Sequence, residues 1–387
     1  MTALAEEITT TELQTTTTLI SGVVDLGEGR GFLRTAGYCR SAGDIPITPA
    51  KIRQYGLRAG DHIEGTAGGQ QGKTQPGKTR QEQTLLTVES VNGLPAAEAR
   101  HRPRFDDLTP VYPNERFRLE DGDPSRAARI IDLVSPIGKG QRGLIVAPPK
   151  AGKTTVLKTI AHAIAAAYPE VHLMLVLVGE RPEEVTDLRR TVGGEVIAAT
   201  FDQSPSDHIK AAELAIERAK RLAELGRDVV VMLDSLTRLG RAYNLAAPAG
   251  GRTLTGGVAV SALQPPRQFL GAARCLEEGG SLTILSTVLV DTSSALDSVL
   301  FEEFKGTGNM ELRLRRDLAE KRLFPAIDPV PSGTRREDLL MDPAEHAAVV
   351  SLRRALAALD SQHALELLLE KTTAPNAQLL RQVSAAR

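Results

Sequence analysis

The sequence predicts a mainly parallel α/β domain built around a phosphate-binding loop, preceded by a small all-β barrel of the OB or cold-shock kind. Three observations carry that prediction. Gly143–Ile164 reads as an apolar strand (Leu144, Ile145, Val146, Ala147), a tight loop ending Gly152-Lys153-Thr154-Thr155, and helical periodicity through Val156, Leu157, Ile160 and Ile164. After Arg126, further buried-strand patterns recur with helical stretches between them. Between Leu19 and about Gly93, short strand patterns are punctuated by Gly and Pro.

In chain order, residues 1–18 are rich in Thr and Ala without a stable pattern and are expected to form a disordered tail. Residues 19–93 hold strand patterns at Ile20–Leu26, Gly31–Thr35, His62–Gly65 and Thr84–Val91, the spacing of a five-stranded barrel. Residues 94–125 open with the polar, Pro-punctuated Pro95–Pro113 and are expected to be a linker. Residues 126–387 form the nucleotide-binding domain. Its strands are expected at Leu144–Ala147, His172–Val178, Val196–Thr200, Val229–Leu233 and Leu282–Val290. Its helices include Lys153–Ala167 and Ser206–Leu225, the latter with Ser206 as N-cap and Gly226 just past its end. Such an alternation places nucleotide at the carboxyl edge of the sheet. Pro343 to about Glu370 reads as two amphipathic helices packed on that domain, and no internal repeat is found.

Composition excludes several classes. The 387 residues are 41% hydrophobic and 25% charged, which fits a globular protein with a substantial core. No apolar run approaches the roughly 18 residues needed to cross a bilayer, and no secretory leader is read at the start. Cys39 and Cys275 have no metal-ligand spacing, so a reducing cytoplasm is the expected setting and no membrane partner is expected. The net charge of −1 advertises no global attraction to nucleic acid, and at 3% aromatic residues with no Trp, base-stacking surfaces are scarce.

In the strand–loop–helix segment, backbone N–H groups and the positive helix end can cradle phosphates. Lys153 would reach the β/γ-phosphates and the Thr154 hydroxyl would complete a Mg²⁺ shell. The strict G-x-x-x-x-G-K-T string occurs elsewhere, at Gly72, Gly77, Lys78 and Thr79, whereas Ala147 stands where the functional loop would have its first Gly. A polar tract precedes Gly72 and no amphipathic helix follows Thr79, so residues 66–81 are read as a flexible basic loop and the match as accidental. Val229–Leu233 ends in Asp234, placed to hold Mg²⁺ through water; the competing reading is an Asp that caps the turn before Ser235. His172–Val178 leads into Gly179-Glu180, where a carboxylate can polarise the attacking water; a surface ion pair is the competing reading.

Longer strings then match a known family. VGERPEEVTDLRR (Val178–Arg190), DSLTRLGRAYN (Asp234–Asn244), GRTLTGGV (Gly251–Val258), EEGGSLTILST (Glu277–Thr287), FEEFKGTGNMEL (Phe301–Leu312) and AEKRLFPAIDPVPSGTRREDLL (Ala319–Leu340) resemble the Rho family of transcription termination factors. The likeness runs from about Leu19 to Leu340. It implies a RecA-like P-loop ATPase motor using ATP and Mg²⁺, assembled as a homohexamer. It further implies 5′→3′ tracking on single-stranded RNA and release of that RNA from RNA polymerase, with termination and elongation factors as further partners.

By the same resemblance, Glu180 activates water, Arg181 lies near the nucleotide and Phe324 stacks on adenine. Lys150, Ala151, Gly152, Lys153, Thr154 and Thr155 match the loop, and Gly138, Lys139, Gly140, Gln141, Arg142 and Gly143 match flanking ATP-binding positions. Arg238 matches an interface position. Arg335, in Ser332-Gly333-Thr334-Arg335, resembles an arginine finger reaching a neighbouring subunit's γ-phosphate; without the resemblance it reads as a solvated surface residue.

For RNA, Arg252-Thr253-Leu254-Thr255-Gly256-Gly257 resembles the family's Q loop, with Arg252 replacing the usual Lys. In the matching R loop, Asp291–Leu296, the family's basic residue falls on Ala295. The barrel segments are Gly29-Arg30-Gly31-Phe32-Leu33-Arg34 and Asp44-Ile45-Pro46. There Phe32 is the one aromatic kept, while Arg30 and Pro46 stand at two other platforms. Stacking contributes about 1–3 kcal/mol per base, so two absent platforms weaken binding unless Arg30 and Arg34 offset them by stacking or phosphate pairing. A lone Phe in a barrel also reads as core. The family's helical cap before the barrel is expected to be replaced by the Thr-rich tail. Two rivals stay open: a rotary-type ring ATPase with the same motor fold, and a non-motor RNA-binding regulator switched by ATP.

Overall fold

The computed structural model describes residues 16–27, 30–69, 83–248 and 250–385. The G-K-T string at Gly72, Gly77, Lys78 and Thr79, the candidate Gly29 and tail residues 1–15 lie outside them. The chain divides into two units, 1–101 and 102–387.

The first unit is one antiparallel sheet in the order β3-β2-β1-β4-β5-β6. Its elements are β1 (Thr16–Gly27), β2 (Arg30–Arg34), β3 (Ile45–Ile47), α1 (Pro49–Tyr55), β4 (His62–Gly69), β5 (Gln83–Val91), β6 (Leu94–Pro95) and α2 (Ala96–Ala99). Although β3 ends the hydrogen-bonded order, it comes within 8 Å of β5, so the sheet curls on itself. Val24, Leu33, Ile45, Ile63, Leu85 and Val91 fill the interior. Five strands, β1 to β5, lie within the expected segment, and β6 just past it adds a sixth; β3 and β6 are too short to show a period of two. Thr16–Thr18, expected in the tail, pair with Gly69, Gly68 and Ala67; these β-branched residues extend β1 and carry the start of the expected 66–81 loop into β4.

Residues 94–125 are not one linker. β6 and α2 complete the first unit. In the second, Phe105 is buried with its N–H donating to Glu224 Oε1 at 2.8 Å, and Phe117 and Leu119 are fully buried. This stretch supplies β7 (Pro110–Val111), β8 (Arg116–Phe117) and α3 (Leu119–Gly122).

From there the order is α4 (Arg126–Val134), β9 (Ile137–Gly138), β10 (Arg142–Ala147), α5 (Lys153–Ala167), β11 (His172–Glu180), α6 (Pro182–Thr191), β12 (Glu195–Thr200) and α7 (Pro205–Ala223). Then come β13 (Asp228–Asp234), α8 (Leu236–Ala246), β14 (Thr253–Leu254), β15 (Val258–Ala259), α9 (Gln264–Gly271), β16 (Arg274–Leu276), β17 (Ser281–Leu289) and α10 (Ala295–Lys305). The chain continues with β18 (Met310–Arg313), α11 (Arg316–Glu320), β19 (Gly333–Thr334), α12 (Pro343–Ala357), α13 (Ser361–Lys371) and α14 (Asn376–Ala385).

The main sheet runs β12-β11-β13-β17-β10-β18-β19, parallel from β12 to β18. Val229–Leu233 and Leu173–Val178 are buried, as strands covered on both faces require. α7 starts two residues earlier than expected. Ser204, not Ser206, is the N-cap, because Pro205 occupies the first turn and Asp207 closes a capping box back onto Ser204. The two helices expected between Pro343 and about Glu370 are α12 and α13, and α14 follows beyond that range; Leu352, Leu365, Leu368 and Leu379 join the main core.

Candidate nucleotide site and RNA-facing loops

The phosphate loop leaves β10 at the carboxyl edge of the sheet. Lys150 and Gly152 take the left-handed conformation there (φ 66° and 88°), which turns the chain sharply into α5. Lys153 opens that helix, Thr154 follows half-buried, and Thr155 is exposed. Glu180 ends β11 and Asp234 ends β13, on neighbouring strands. Parallel pairing therefore brings both carboxylates to the loop. Lys153 Nζ lies 3.3 Å from Glu180 Oε1 and is ion-paired with Asp234. Asp234 Oδ1 also accepts from Thr287 Oγ1 at 2.8 Å, and Arg238 on α8 is ion-paired with Glu180.

The two acids are held in different states. Burial works against ionisation of Glu180, but the charges of Lys153 and Arg238 outweigh it and keep this carboxyl below its ordinary value. Burial dominates at Asp234 and raises it, although Lys153 pulls the other way. Glu184, one turn into α6, is raised by burial and by its hydrogen bond with Glu180. Glu184 and Thr287 were not singled out in the sequence: their roles arise from contact with Glu180 and Asp234, and no spacing signals them.

Among the described residues, no cluster of three or more His, Cys, Asp or Glu could form an all-protein metal cage. The donor set instead suits Mg²⁺, which keeps waters and takes few protein oxygens. Thr154 offers a hydroxyl, and Asp234 offers a carboxylate whose Oδ1 accepts from Lys153 and Thr287. Beside the loop, a cavity of about 420 Å³ is lined by Ala151, Gly152, Thr155, Arg126, Pro325 and the half-exposed Phe324. Arg126, absent from the candidate set, joins it because α4 packs against α5. Arg181 is exposed at the start of α6, next to Glu180.

Gly138–Gly143 lie elsewhere. They sit at and before the amino-terminal end of β10, at least about 13 Å of strand from the loop at ~3.3 Å per residue. Lys139 is ion-paired with Glu115 and Asp228, the Gly140 N–H donates to Thr283 Oγ1, and Gln141 Nε2 donates to Asn309 Oδ1 at 2.6 Å. The four strand residues Leu144–Ala147 separate them from the phosphate loop that follows in the same chain. Arg335 is at this same far edge, its N–H donating to Asn309 O at 2.8 Å with the side chain exposed. Burial lowers the neighbouring Arg142, and the charges of Arg274 and Arg335 lower it further.

In the Q-loop segment, β14 and β15 form a hairpin whose Gly256 (φ 79°) sits so close to α10 that a Cβ would meet Ala295 C at 2.9 Å. Arg252, Thr253, Thr255 and Gly257 are exposed and Leu254 is half-buried. The segment around Ala295 and the Q loop are thus in contact, and Ala295, capped by Ser294, brings no charge to that contact.

The barrel candidates divide by strand face. Gly31 and Leu33 point inward and Leu33 is 0% exposed, so they are core rather than contact residues; Ile45 likewise. Phe32 pairs across the sheet with both Asp25 and Pro46 and shares their face, with Arg30 exposed on the same side. Arg34 is 5% exposed, ion-paired with Asp25 and Asp44, and lies over the Phe32 ring. It braces Phe32 instead of offering free charge to phosphate, and Asp44 serves as its partner.

A P-loop nucleotide site at the carboxyl edge of a parallel sheet, in a chain that begins with a curled antiparallel barrel, defines the class: a P-loop ATPase with an appended β-barrel unit. Residues 127–334 match the ATP synthase alpha/beta family nucleotide-binding domain, and residues 20–97 match the Rho termination factor RNA-binding domain. A transcription termination factor Rho from Streptosporangium roseum is 57% identical over 366 residues, covering 94% of this chain and 92% of that protein. One from Micrococcus luteus is 57% identical over 372 residues, covering 94% of this chain and 54% of that protein. The chain spans about half the length of that relative and of the Streptomyces lividans Rho, of which it covers 51%. The solved structure of an ATPase from the type III secretion system of pathogenic bacteria shares the fold, with TM-score 0.60 and 24% identity over 72% of this chain and 87% of that one. The chain belongs to the transcription termination factor Rho family, with a second unit of the ATP synthase alpha/beta nucleotide-binding type. Among the described residues, no helix is long and apolar enough to cross a membrane.

Proposed function

We propose that this chain is an ATP-driven, RNA-stimulated 5′→3′ translocase that terminates transcription by pulling nascent RNA from RNA polymerase. It works in the cytoplasm as a homohexamer alongside termination and elongation factors. The observation that carries this reading is the union, in one chain, of a Rho-type RNA-binding barrel with a P-loop site whose acid–base groups are already assembled.

In this reading Lys153 anchors the β/γ-phosphates, and Glu180, kept ionised by Lys153 and Arg238, orients the attacking water and takes its proton. Thr154 and Asp234 would hold Mg²⁺, which neutralises charge on the phosphates. Arg335 serves the neighbouring subunit's nucleotide, which is why it stands at the edge opposite its own loop. Gly138–Gly143 on that edge shape the same contact. Arg252 and the Q loop, packed on the segment around Ala295, grip RNA phosphates, while Phe32, Pro46 and Arg30 offer the barrel's outer face to bases.

Adding RNA is expected to raise the steady-state ATPase rate at least about tenfold over the RNA-free rate, compared across C-rich and C-poor oligonucleotides at fixed salt. A rate indifferent to every RNA would overturn translocation. It would favour the rotary-type ring, whose fold the secretion ATPase shares. The uncharged Ala295 is the observation that favours a non-motor regulator; displacement of a DNA strand from an RNA–DNA hybrid with a 5′ tail separates the two.

Phe324→Ala is expected to weaken ATP binding about tenfold while sparing turnover at saturation, because a ring worth about 1–3 kcal/mol against a base is removed at a distance from the γ-phosphate. An unchanged affinity in a fluorescent-nucleotide titration would show that the base sits elsewhere.

A further inference from the structure

The stretch of chain that carries Arg335 is held from the C-terminal helices. Val349, Leu352 and Leu356 fix α12 to the main core. Arg353, next to Leu352 on that helix, turns its guanidinium to the Arg335 segment. Its Nη1 donates to the Ser332 carbonyl at 3.3 Å, and Nη2 is ion-paired with Glu337 at 3.2 Å. Nη2 also donates to the carbonyl of Val134, the last residue of α4. Ser332 lies three residues before Arg335 and Glu337 two after it, so one side chain holds both flanks. Burial lowers Arg353, and the charge of Glu337 pulls the other way.

The residues between the flanks fit this arrangement. Gly333 leaves room for the guanidinium, since a Cβ there would come within 3.3 Å of Nη1. Thr334 Oγ1 donates to Pro136 O at 2.6 Å, and β19 pairs with Met310 and Glu311 of β18. The Arg335 backbone is therefore tied down while its side chain is exposed. A planar fork with donors on both terminal nitrogens can bridge Ser332, Val134 and Glu337 together, whereas a lysine ammonium is a single point on a flexible stem. A group that meets transition-state charge depends on such placement, because an error of about 1 Å can cost on the order of a hundredfold in rate.

We propose, resting on the reading of Arg335 as an arginine finger, that Arg353 is a positioning residue for hydrolysis in the neighbouring subunit. It fixes segment 332–337 so that Arg335 reaches that subunit's phosphates. Helix α12 thereby becomes part of the contact between copies, acting through Arg335 and not on the nucleotide.

Two substitutions and a mixing experiment test this. Arg353→Lys is expected to lower kcat about tenfold and Arg353→Met about a hundredfold, both with the parent's affinity in a fluorescent-nucleotide titration. Arg353→Lys keeps a cation beside Glu337 and carries the test if thermal unfolding shows that Arg353→Met does not fold. Each Arg353 variant brings an intact phosphate loop. Mixed equally with Lys153→Ala, it is expected to give turnover several-fold above the mean of the two alone. Mixed with Arg335→Ala, it is expected to give no gain, since every finger is then displaced or absent. A general loss of stability does not produce that pair of results. Parent-like kcat, weakened nucleotide affinity, no gain with Lys153→Ala, or a gain with Arg335→Ala would overturn the proposal. Mixing Arg335→Ala with Lys153→Ala tells the two readings apart. If that mixture recovers and the Arg353 mixture does not, the finger stands and the role of Arg353 falls; if neither recovers, both fall.

Discussion

Replacing Lys153 by Ala is expected to lower ATP turnover by at least about a thousandfold, more than any other single change in the motor. Two losses combine. The phosphates lose their cation at the start of α5, and Glu180 and Asp234 lose the charge that lies between them. Lys153 depresses Glu180, so its removal lets burial and the nearby carboxylates raise that group. A larger share of Glu180 is then protonated at a given pH and unfit to accept a proton. Residual turnover in the variant should therefore fall off at a higher pH on its acid side than in the parent. Phosphate release across pH measures both effects, with thermal unfolding to confirm that the chain is folded. Parent-like turnover would sink the assignment of this loop.

Arg335→Ala is expected to reduce turnover about a thousandfold, the lower end of what an arginine finger supplies, with ATP affinity nearly unchanged. The reasoning is positional. Arg335 follows β19 and bonds Asn309 at the amino-terminal edge, with the length of β10 between it and its own Lys153. On the proposed reading, the phosphate it meets belongs to another copy. Mixing Arg335→Ala with Lys153→Ala should then restore activity that neither has alone. In an equal random mixture, roughly a quarter of the contacts join an intact loop to an intact finger. A mixture no more active than its parts would place the finger's work inside one subunit and break the model.

Much of the nucleotide site was legible because its signals are local. An apolar run, Gly152-Lys153-Thr154 and a helical repeat lie within one short segment, and Asp234 and Glu180 each end an apolar strand. What stayed hidden depends on partners far apart in the chain. Arg34 reads as a free cation until Asp25 and Asp44 arrive from other parts of the barrel and bury it. Gly138–Gly143 precede the loop closely in sequence, yet an extended strand carries them to the opposite edge. The alternation of β2 would have marked Leu33 as inward-facing; the resemblance, which treats the segment as one block, obscured it. Ser206 lost the capping position to Ser204 because Pro205 makes a better first helical residue than a cap. β3, β6 and α14 escaped because two or three residues, or a short polar helix at the chain's end, leave little periodicity to read.

The opposed placement of Lys153 and Arg335 also sets the conditions under which fuel is consumed. A solitary copy holds a socket and a key that face away from each other. On this reading its idle hydrolysis stays slow however much nucleotide surrounds it. Catalytic output then climbs with abundance more steeply than in direct proportion, and dilution alone silences the enzyme without any inhibitor. A cell making too little of this polypeptide would lose nearly all of its action rather than a matching fraction.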